Sequence, residues 1–285
     1  MKPPSSHHVT SLPHPTGRHR HDSSERWKSP VLPDRIQNLD QRDPELIDHI
    51  RNYWIIPPQP GRINLNPATY KKNKRYDFSE QGQVQAVLEM LDDRRDGFFV
   101  ECGAADGQRN SNSLYLELFM NWTGLLIEPD PNFFAELLSK NRHAYSINTC
   151  LSPTSKPLVA NFTTAGISGG ISDLIPNGQR KRYNMDQRTP IKVQCFPLYS
   201  ILEALRVSHV DYFSLDIEGA EVDVLETFPH ANVTFDVISV EKRLIDDELG
   251  TAKKEKRIID LLSPYGYKLI KRLKFDIMLQ RRSFQ

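Results

Sequence analysis

The chain has 285 residues, 37 of them basic and 36 acidic, and its net charge of +1 gives no reason to expect nucleic acid or an anionic membrane surface as the main partner. Its 38% hydrophobic content suffices for a sizeable core, and no window approaches the ~20 apolar residues of a membrane-spanning helix. Three cysteines, Cys102, Cys150 and Cys195, lie in or beside apolar runs, and an odd number without short spacing is expected to give buried free thiols rather than a disulfide framework or zinc site.

The opening stretch from Met1 to Lys28 is polar, rich in Pro, Ser and His, and almost free of aliphatic residues, so it cannot offset its own ordering entropy. His7, His8, His14, His19 and His21 are too irregularly spaced for a metal site. A disordered tail is expected over residues 1–40, a helical lead-in and linker over 41–75, and one domain over 76–285. The N-terminus lacks the apolar core of a signal peptide, so the chain as it stands is expected to be soluble and cytoplasmic. Three N-x-S/T sequons, at Asn121, Asn161 and Asn232, would be usable only in a secretory compartment.

Asp43-Pro44 predicts a helix start, an acidic N-cap followed by proline in the first turn, with Leu46, Ile47 and Ile50 on one face and the run from Pro57 to Gly61 as its stop. Val84, Val87, Leu88 and Leu91 recur at helical spacing just before a first strand, Phe98 to Cys102. Leu114, Leu118, Phe119 and Trp122 are expected to form the buried stripe of the next helix. A second strand runs from Gly124 to Glu128, Pro131 opens a helix with Phe134, Leu137 and Leu138 inside, and a third strand runs from Ala144 to Cys150. The stretch from Leu151 to Gln194 reads as irregular, with Gly166-Ile167-Ser168-Gly169-Gly170 as a hairpin turn or a flap. Beyond it come a helix on Leu198, Ile201, Leu202 and Leu205, a buried strand from Val210 to Asp216, a helix from Gly219 to Phe228, a strand from Phe235 to Val240 and a helix on Ile258, Leu261, Leu262 and Tyr265. Two closing strands, Tyr267 to Leu273 and Phe275 to Gln280, are too close for a helical crossover and should pair antiparallel. This alternation predicts an α/β fold, Rossmann-like, with a mostly parallel seven-stranded sheet, an antiparallel C-terminal hairpin and ligands at the carboxyl ends of the strands. It is the form taken by class I methyltransferases.

The first strand delivers Glu101 to that carboxyl edge, and Gly103-Ala104-Ala105-Asp106-Gly107 lets backbone pass close to a ligand. One helix and one strand later, Glu128 arrives where a carboxylate can accept both hydroxyls of a ribose. This is the layout of an adenosyl cofactor site. The spacing E-x-G-x-x-x-G, with Ala105 where a pyrophosphate turn has its second glycine, argues against a dinucleotide and a nucleotide-binding oxidoreductase.

A second acidic group, Asp216-Ile217-Glu218-Gly219-Ala220-Glu221, spans a strand end and a first helical turn, where Glu221 is expected to serve the helix N-terminus alone. Asp216 sits where the fold rule places the ligand, and Glu241 ends the next strand. Asp216, Glu218 and Glu241 can form a hard-cation site or a set of acid/base carboxylates, with no metal as the expectation. His143, His209 and His230 are expected to be structural. The clusters Arg180-Lys181-Arg182 and Lys253-Lys254 with Lys256-Arg257 are expected to be solvated faces.

With Glu101 to Gly107, Gly124 to Pro131 and Asp216 to Glu221 in hand, the chain resembles the FkbM methyltransferase family over about Phe78 to Leu279. Within it, Phe99 to Ala104, Ser111 to Glu117 and Asn121 to Glu128 look most like the animal, Star-like branch, as does the lead-in from Asp43 to Pro58. The resemblance implies S-adenosylmethionine as cofactor and a hydroxyl, on a small molecule or glycan, as methyl acceptor. It implies Glu101, Gly103 and Gly107 around the methionine and adenosyl portions, Glu128 on the ribose and Asp216 facing the methyl-transfer region; Asp106 is expected beside these cofactor residues, and Asp216, with Glu241 second, is expected to take the hydroxyl proton. The Star-like branch instead implies a non-catalytic factor in secretory and endosomal transport of signalling cargo. That would mean an endomembrane location and membrane association, although the spanning segment of Star has no counterpart here.

Overall fold

The computed structural model describes residue 30, residues 32–66 and residues 77–282. The expected disorder of Met1 to Lys28 lies outside the described residues. Residues 32–40, assigned to the same tail, are ordered: they turn against the domain and bury Leu32 and Ile36, because two aliphatic side chains four apart suffice to anchor a short turn.

Helix α1, Pro44–Tyr53, starts as the sequence predicts, with the Asp43 carboxylate accepting from the Glu45 amide at 2.8 Å and Leu46 and Ile50 fully buried. Its partner is α6, Leu198–Ala204: Arg51 Nε donates to the Ala204 carbonyl at 2.8 Å, and the Ser200 hydroxyl donates to the Gln41 carbonyl at 2.8 Å. Helix α2 spans Gln83–Met90 and buries Val84 and Val87.

The main sheet contains β1 (Phe98–Cys102), β2 (Thr123–Ile127), β3 (Tyr145–Ile147), β8 (His209–Leu215), β9 (Thr234–Glu241), β10 (Tyr267–Arg272) and β11 (Asp276–Arg281). Its order is β10-β11-β9-β8-β1-β2-β3. The pairs β9/β8, β8/β1, β1/β2 and β2/β3 are parallel, and β11 runs antiparallel to both its neighbours. Hence β11 alone is reversed, the pattern of a class I methyltransferase. Helices α3 (Leu114–Met120), α4 (Pro131–Ser139), α7 (Glu221–Thr227) and α8 (Glu248–Leu262) make the remaining crossovers. One core layer, on Val100, Phe213 and Ile238, faces α1 and α6; the other, on Phe99, Tyr212 and Val237, faces α2.

Two local readings change. The buried residues of α3 are Leu114, Leu116, Glu117 and Met120, while Phe119 is exposed and Trp122 lies beyond the helix end. The register turns because Glu117 faces inward to a fully enclosed ion pair with Arg142 at 2.7 Å. The stretch from Leu151 to Gln194 is not irregular. It holds a second sheet, of order β4-β7-β5-β6, made from β4 (Cys150–Leu151), β5 (Leu158–Thr163), β6 (Gly170–Ile171) and β7 (Ile191–Phe196), and the short helix α5 (Asn177–Arg182). The expected third strand divides between the two sheets. Cys150 and Cys195 face each other in the parallel β4/β7 register and form a disulfide, leaving only Cys102 as a free thiol. Sheet pairing joins cysteines that lie 45 positions apart, a proximity that sequence spacing does not reveal.

Candidate functional site

The carboxyl ends of β1, β2, β8 and β9 open onto two adjoining clefts that share Gly103, Ala105, Ile167, Asp216 and Glu218. The first has apolar walls from Ile127, Phe133, Leu151 and Phe162, with Glu128 and Asp130 on its rim beside the shared acids. The second is lined by Glu80, Glu101, Asp216, Glu218, Glu241 and Asp276, with Arg109 and Arg243. The hairpin between β5 and β6 lies over both, with Gly166 in the first, Ser168 in the second and Ile167 in each. The glycine-rich run is therefore a hairpin turn roofing the site.

Glu128 follows β2 and is 5% exposed. One oxygen accepts from the Ala105 amide at 2.8 Å and the other from the Asp130 amide at 2.7 Å. A carboxylate offers about four lone-pair directions, so each oxygen retains capacity for a hydroxyl donor. Burial drives its pKa up to about 8 against those two amide bonds. Gly103, at φ +83°, presses its Cα on the Asp216 carbonyl, which a Cβ would meet at 2.1 Å. The parallel pairing of Cys102 with Leu215 forces that proximity. These features fit an adenosyl cofactor: a ribose-sized acid with spare acceptor capacity, an apolar wall for a base, and a floor of bare backbone.

The remaining sequence-predicted cofactor residues hold the floor in shape. Glu101 is buried and accepts from the Ser111 hydroxyl at 2.9 Å, the Asn112 amide at 2.7 Å and the Ser113 hydroxyl. Burial raises its pKa. It borders the second cleft and so stands behind the junction. Asp106 closes the turn after Ala105, accepting from the Gln108 amide at 3.0 Å and the Arg109 amide at 2.7 Å. Gly107, at φ +75°, packs on Leu137.

Asp216 and Glu241 end neighbouring strands and both face the second cleft. Neither carboxylate has a hydrogen-bond donor among the described residues. Burial first, and then the crowding of Glu218, Asp276 and Glu221 around Asp216 and of Asp216, Glu218 and Glu221 around Glu241, pushes both well above the usual carboxylate range. Glu218, held at φ +61°, is brought to about 7 by burial and Glu221, while Gln179 Nε2 donates to it at 2.5 Å. Gly219 follows at φ +132°, where a Cβ would lie 2.3 Å from the Leu174 carbonyl.

Glu221 does more than cap. It accepts from the Ile217 and Gly219 amides, each at 3.1 Å, and pairs with the Lys254 ammonium at 2.8 Å. Burial alone would raise it, but Lys254 outweighs burial and holds it low. Asp216, Glu221 and Glu241 bring oxygens within 4.8 Å of one another, with Glu221 in the place expected for Glu218. Since Lys254 already occupies Glu221, the arrangement is a carboxylate pair beside a resident ammonium. Sequence reading missed this lysine as part of a solvated face, yet Lys254, Ile258 and Leu262 stand four apart on α8 and all face inward.

The histidines stand apart from the clefts. His143 Nε2 lies 2.8 Å from the Gly61 carbonyl, His230 Nε2 lies 2.8 Å from the Leu225 carbonyl, and His209 sits at the amino end of β8.

The sequence matches the Methyltransferase FkbM domain over residues 101–269, more than half of the chain. The chain belongs to the FkbM methyltransferase family. The cofactor that goes with the family is S-adenosylmethionine. No curated protein gives a significant match. Among solved structures the FkbM domain is similar to precorrin-6y C5,15-methyltransferase from Geobacter metallireducens GS-15, at 12% identity over 78% of this chain and 100% of that one, with a TM-score of 0.39. Methyltransferase FkbM from Methylobacillus flagellatus KT matches at 12% identity over 65% of this chain and 43% of that one, with a TM-score of 0.39. A methyltransferase from Pyrococcus furiosus matches at 16% identity over 68% of this chain and 78% of that one, with a TM-score of 0.35. The fold assignment rests on the strand order and on the family match, independently of these three likenesses.

Proposed function

We propose that the FkbM domain transfers a methyl group to a hydroxyl of a small molecule or glycan, with cofactor in the first cleft, acceptor in the second and Asp216 taking the proton. The observation that carries this reading is the shared wall: Asp216 and Gly103 border both clefts. Bound S-adenosylmethionine would supply an electrophilic methyl group. Methyl transfer to oxygen needs alignment and a place for the hydroxyl proton. Glu128 accepts from the ribose hydroxyls, and the backbone at Gly103 and Ala105 forms the floor below. Asp216, which has no donor among the described residues, accepts from the acceptor hydroxyl, and its raised pKa makes it a stronger base than an ordinary aspartate once ionised. Glu241 shares that proton, and Lys254 steadies the negative charge left on the pair.

The test measures cofactor affinity by calorimetry and turnover against a panel of hydroxyl compounds, with Asp216→Asn beside wild type. Retained affinity with turnover lowered by ~10²-fold or more supports the reading. Equal turnover in the two proteins sinks Asp216 as the base. The alternative, a Star-like escort for secretory cargo, requires no cofactor-dependent product from wild type and unaltered cargo exit in the variant.

A further inference from the structure

Two sets of residues that the proposed reaction does not use share one chemical requirement. The first is the disulfide. Cys150 and Cys195 are 5% and 0% exposed and join β4 to β7 in the second sheet, and Cys150 itself lines the first cleft. Such a bond forms where the surroundings are oxidising, and in the cytosol of most cells thiols are kept reduced. The third cysteine, Cys102, is buried in β1, and burial raises its pKa well above the usual range, so no reactive thiol is presented at the surface.

The second set is the sequons, whose three asparagines are all exposed. Asn232 lies in the turn between α7 and β9, at the amino end of the parallel strands, and its side chain makes no hydrogen bond among the described residues. Asn161 points outward from β5 between the buried Ala160 and Phe162. Neither borders a cleft, so an oligosaccharide on either leaves both clefts open. Asn121 fits less well, since it closes α3 in a left-handed conformation and its amide donates to Asp96 at 2.5 Å. Thr163, which completes the Asn161 sequon, is 3% exposed and bonded to the Ser172 hydroxyl at 2.8 Å, so attachment at Asn161 must precede folding of the second sheet.

We propose that the chain is N-glycosylated on Asn232 and Asn161 and that it forms its Cys150–Cys195 disulfide in an oxidising secretory compartment. The two modifications occur together only in such a compartment, which is why exposed sequons and a buried disulfide on one domain carry more than either alone. The proposal places the domain on the lumenal or extracellular side, and it stands whether or not the domain transfers methyl groups.

The full chain, isolated from the cells that make it, is digested with peptide:N-glycosidase F, and its cysteines are alkylated under denaturing conditions before and after reduction. The expected result is one mobility step for each occupied site, one step fewer in Asn232→Gln or Asn161→Gln, none in the double variant, and one reactive thiol before reduction against three after. Both variants change exposed side chains, and an unchanged melting temperature verifies that they fold. A wild-type chain whose mobility the enzyme leaves unaltered overturns the proposal, as do three thiols open to alkylation before reduction. A shift that persists undiminished in the double variant overturns the assignment of sites.

Discussion

Strands β8 and β9 carry acids at both ends, and the two ends treat them oppositely. At the amino ends, Asp211 and Asp236 each lie 2.5 Å from Arg94 Nη1, and His209 Nε2 stands 3.8 Å and 3.6 Å from them. Burial alone would raise both acids, but the neighbouring His209 ring and hydrogen bonds from Arg94, with the Phe98 amide on Asp211, hold them below their ordinary range. Five residues further along each strand, Asp216 and Glu241 have no such donors and are pushed up. The same side-chain chemistry thus stabilises the fold at one edge and strains it at the other. Carboxylates that the folded state disfavours as anions are the ones free to bind and release protons.

The sharpest way to break this contrast is to neutralise one acid at each end. Asp216→Asn is expected to lower turnover by ~10²-fold or more while leaving the melting temperature equal to wild type or above it, because the amide removes a crowded charge. Asp211→Asn should do the reverse. It leaves Arg94 and the Phe98 amide short of an anionic acceptor and is expected to cost about 1–2 kcal/mol of stability with the clefts intact, read from urea unfolding. A melting temperature lowered more by Asp216→Asn than by Asp211→Asn would refute the comparison.

Glu128 extends the strained edge into the first cleft. Glu128→Ala is expected to weaken S-adenosylmethionine binding by about 1.5–3 kcal/mol, the scale of hydrogen bonds to a charged group. With its pKa near 8 in the free protein, Glu128 is largely protonated at pH 7, and hydroxyl donors favour its anion. Affinity should therefore rise between pH 6.5 and 8.5 with release of a proton, measured by calorimetry in buffers of different ionisation enthalpy. Glu128→Gln should abolish that release.

The smallest effect concerns stability against pH, and its sign follows from which state holds the proton. Glu218 and Glu128 have folded values of about 7 and about 8 above an ordinary 4.5, so the folded state binds more protons than the unfolded one across that interval. Stability falls there as pH rises. His209 is raised from 6.5 to about 9, mainly by the neighbouring carboxylates of Asp211 and Asp236, and its contribution is whole below 6.5 and lost as pH rises through 9. Both terms make the protein less stable at pH 9 than at pH 6, and His209→Gln should flatten only the upper part of that decline. A thermal-melt series that climbs toward pH 9 would contradict both.

Much of the main sheet is legible in the sequence because its central strands are mostly apolar runs closed by a turn signal, and Asp216 and Glu128 are found simply by asking which acids end those runs. The second sheet is hidden for a physical reason. Strand β5 alternates between Val159 and Asn161 outside and Ala160 and Phe162 inside, but its partner β7 is far along the chain, and β4 and β6 are two residues each, too short for any periodicity. The buried pairs Glu117–Arg142 and Glu221–Lys254 join residues with no local relation, so the inward turn of α3 and the ammonium at the acid cluster emerge only from packing. The disulfide escapes for the same reason.

Gly103 and Gly219 carry no chemistry, yet each is wedged against a main-chain carbonyl, that of Asp216 or of Leu174, at a distance no side chain can share. Inherited or random variation should therefore divide into two kinds at this site. Changes at Asp216 or Glu241 leave a full complement of silent protein in the cell, whereas any change at Gly103 or Gly219 removes the protein through quality control before its chemistry is in question. Steady-state abundance, scored beside activity across a saturation library, separates the residues that react from the residues that make room for them.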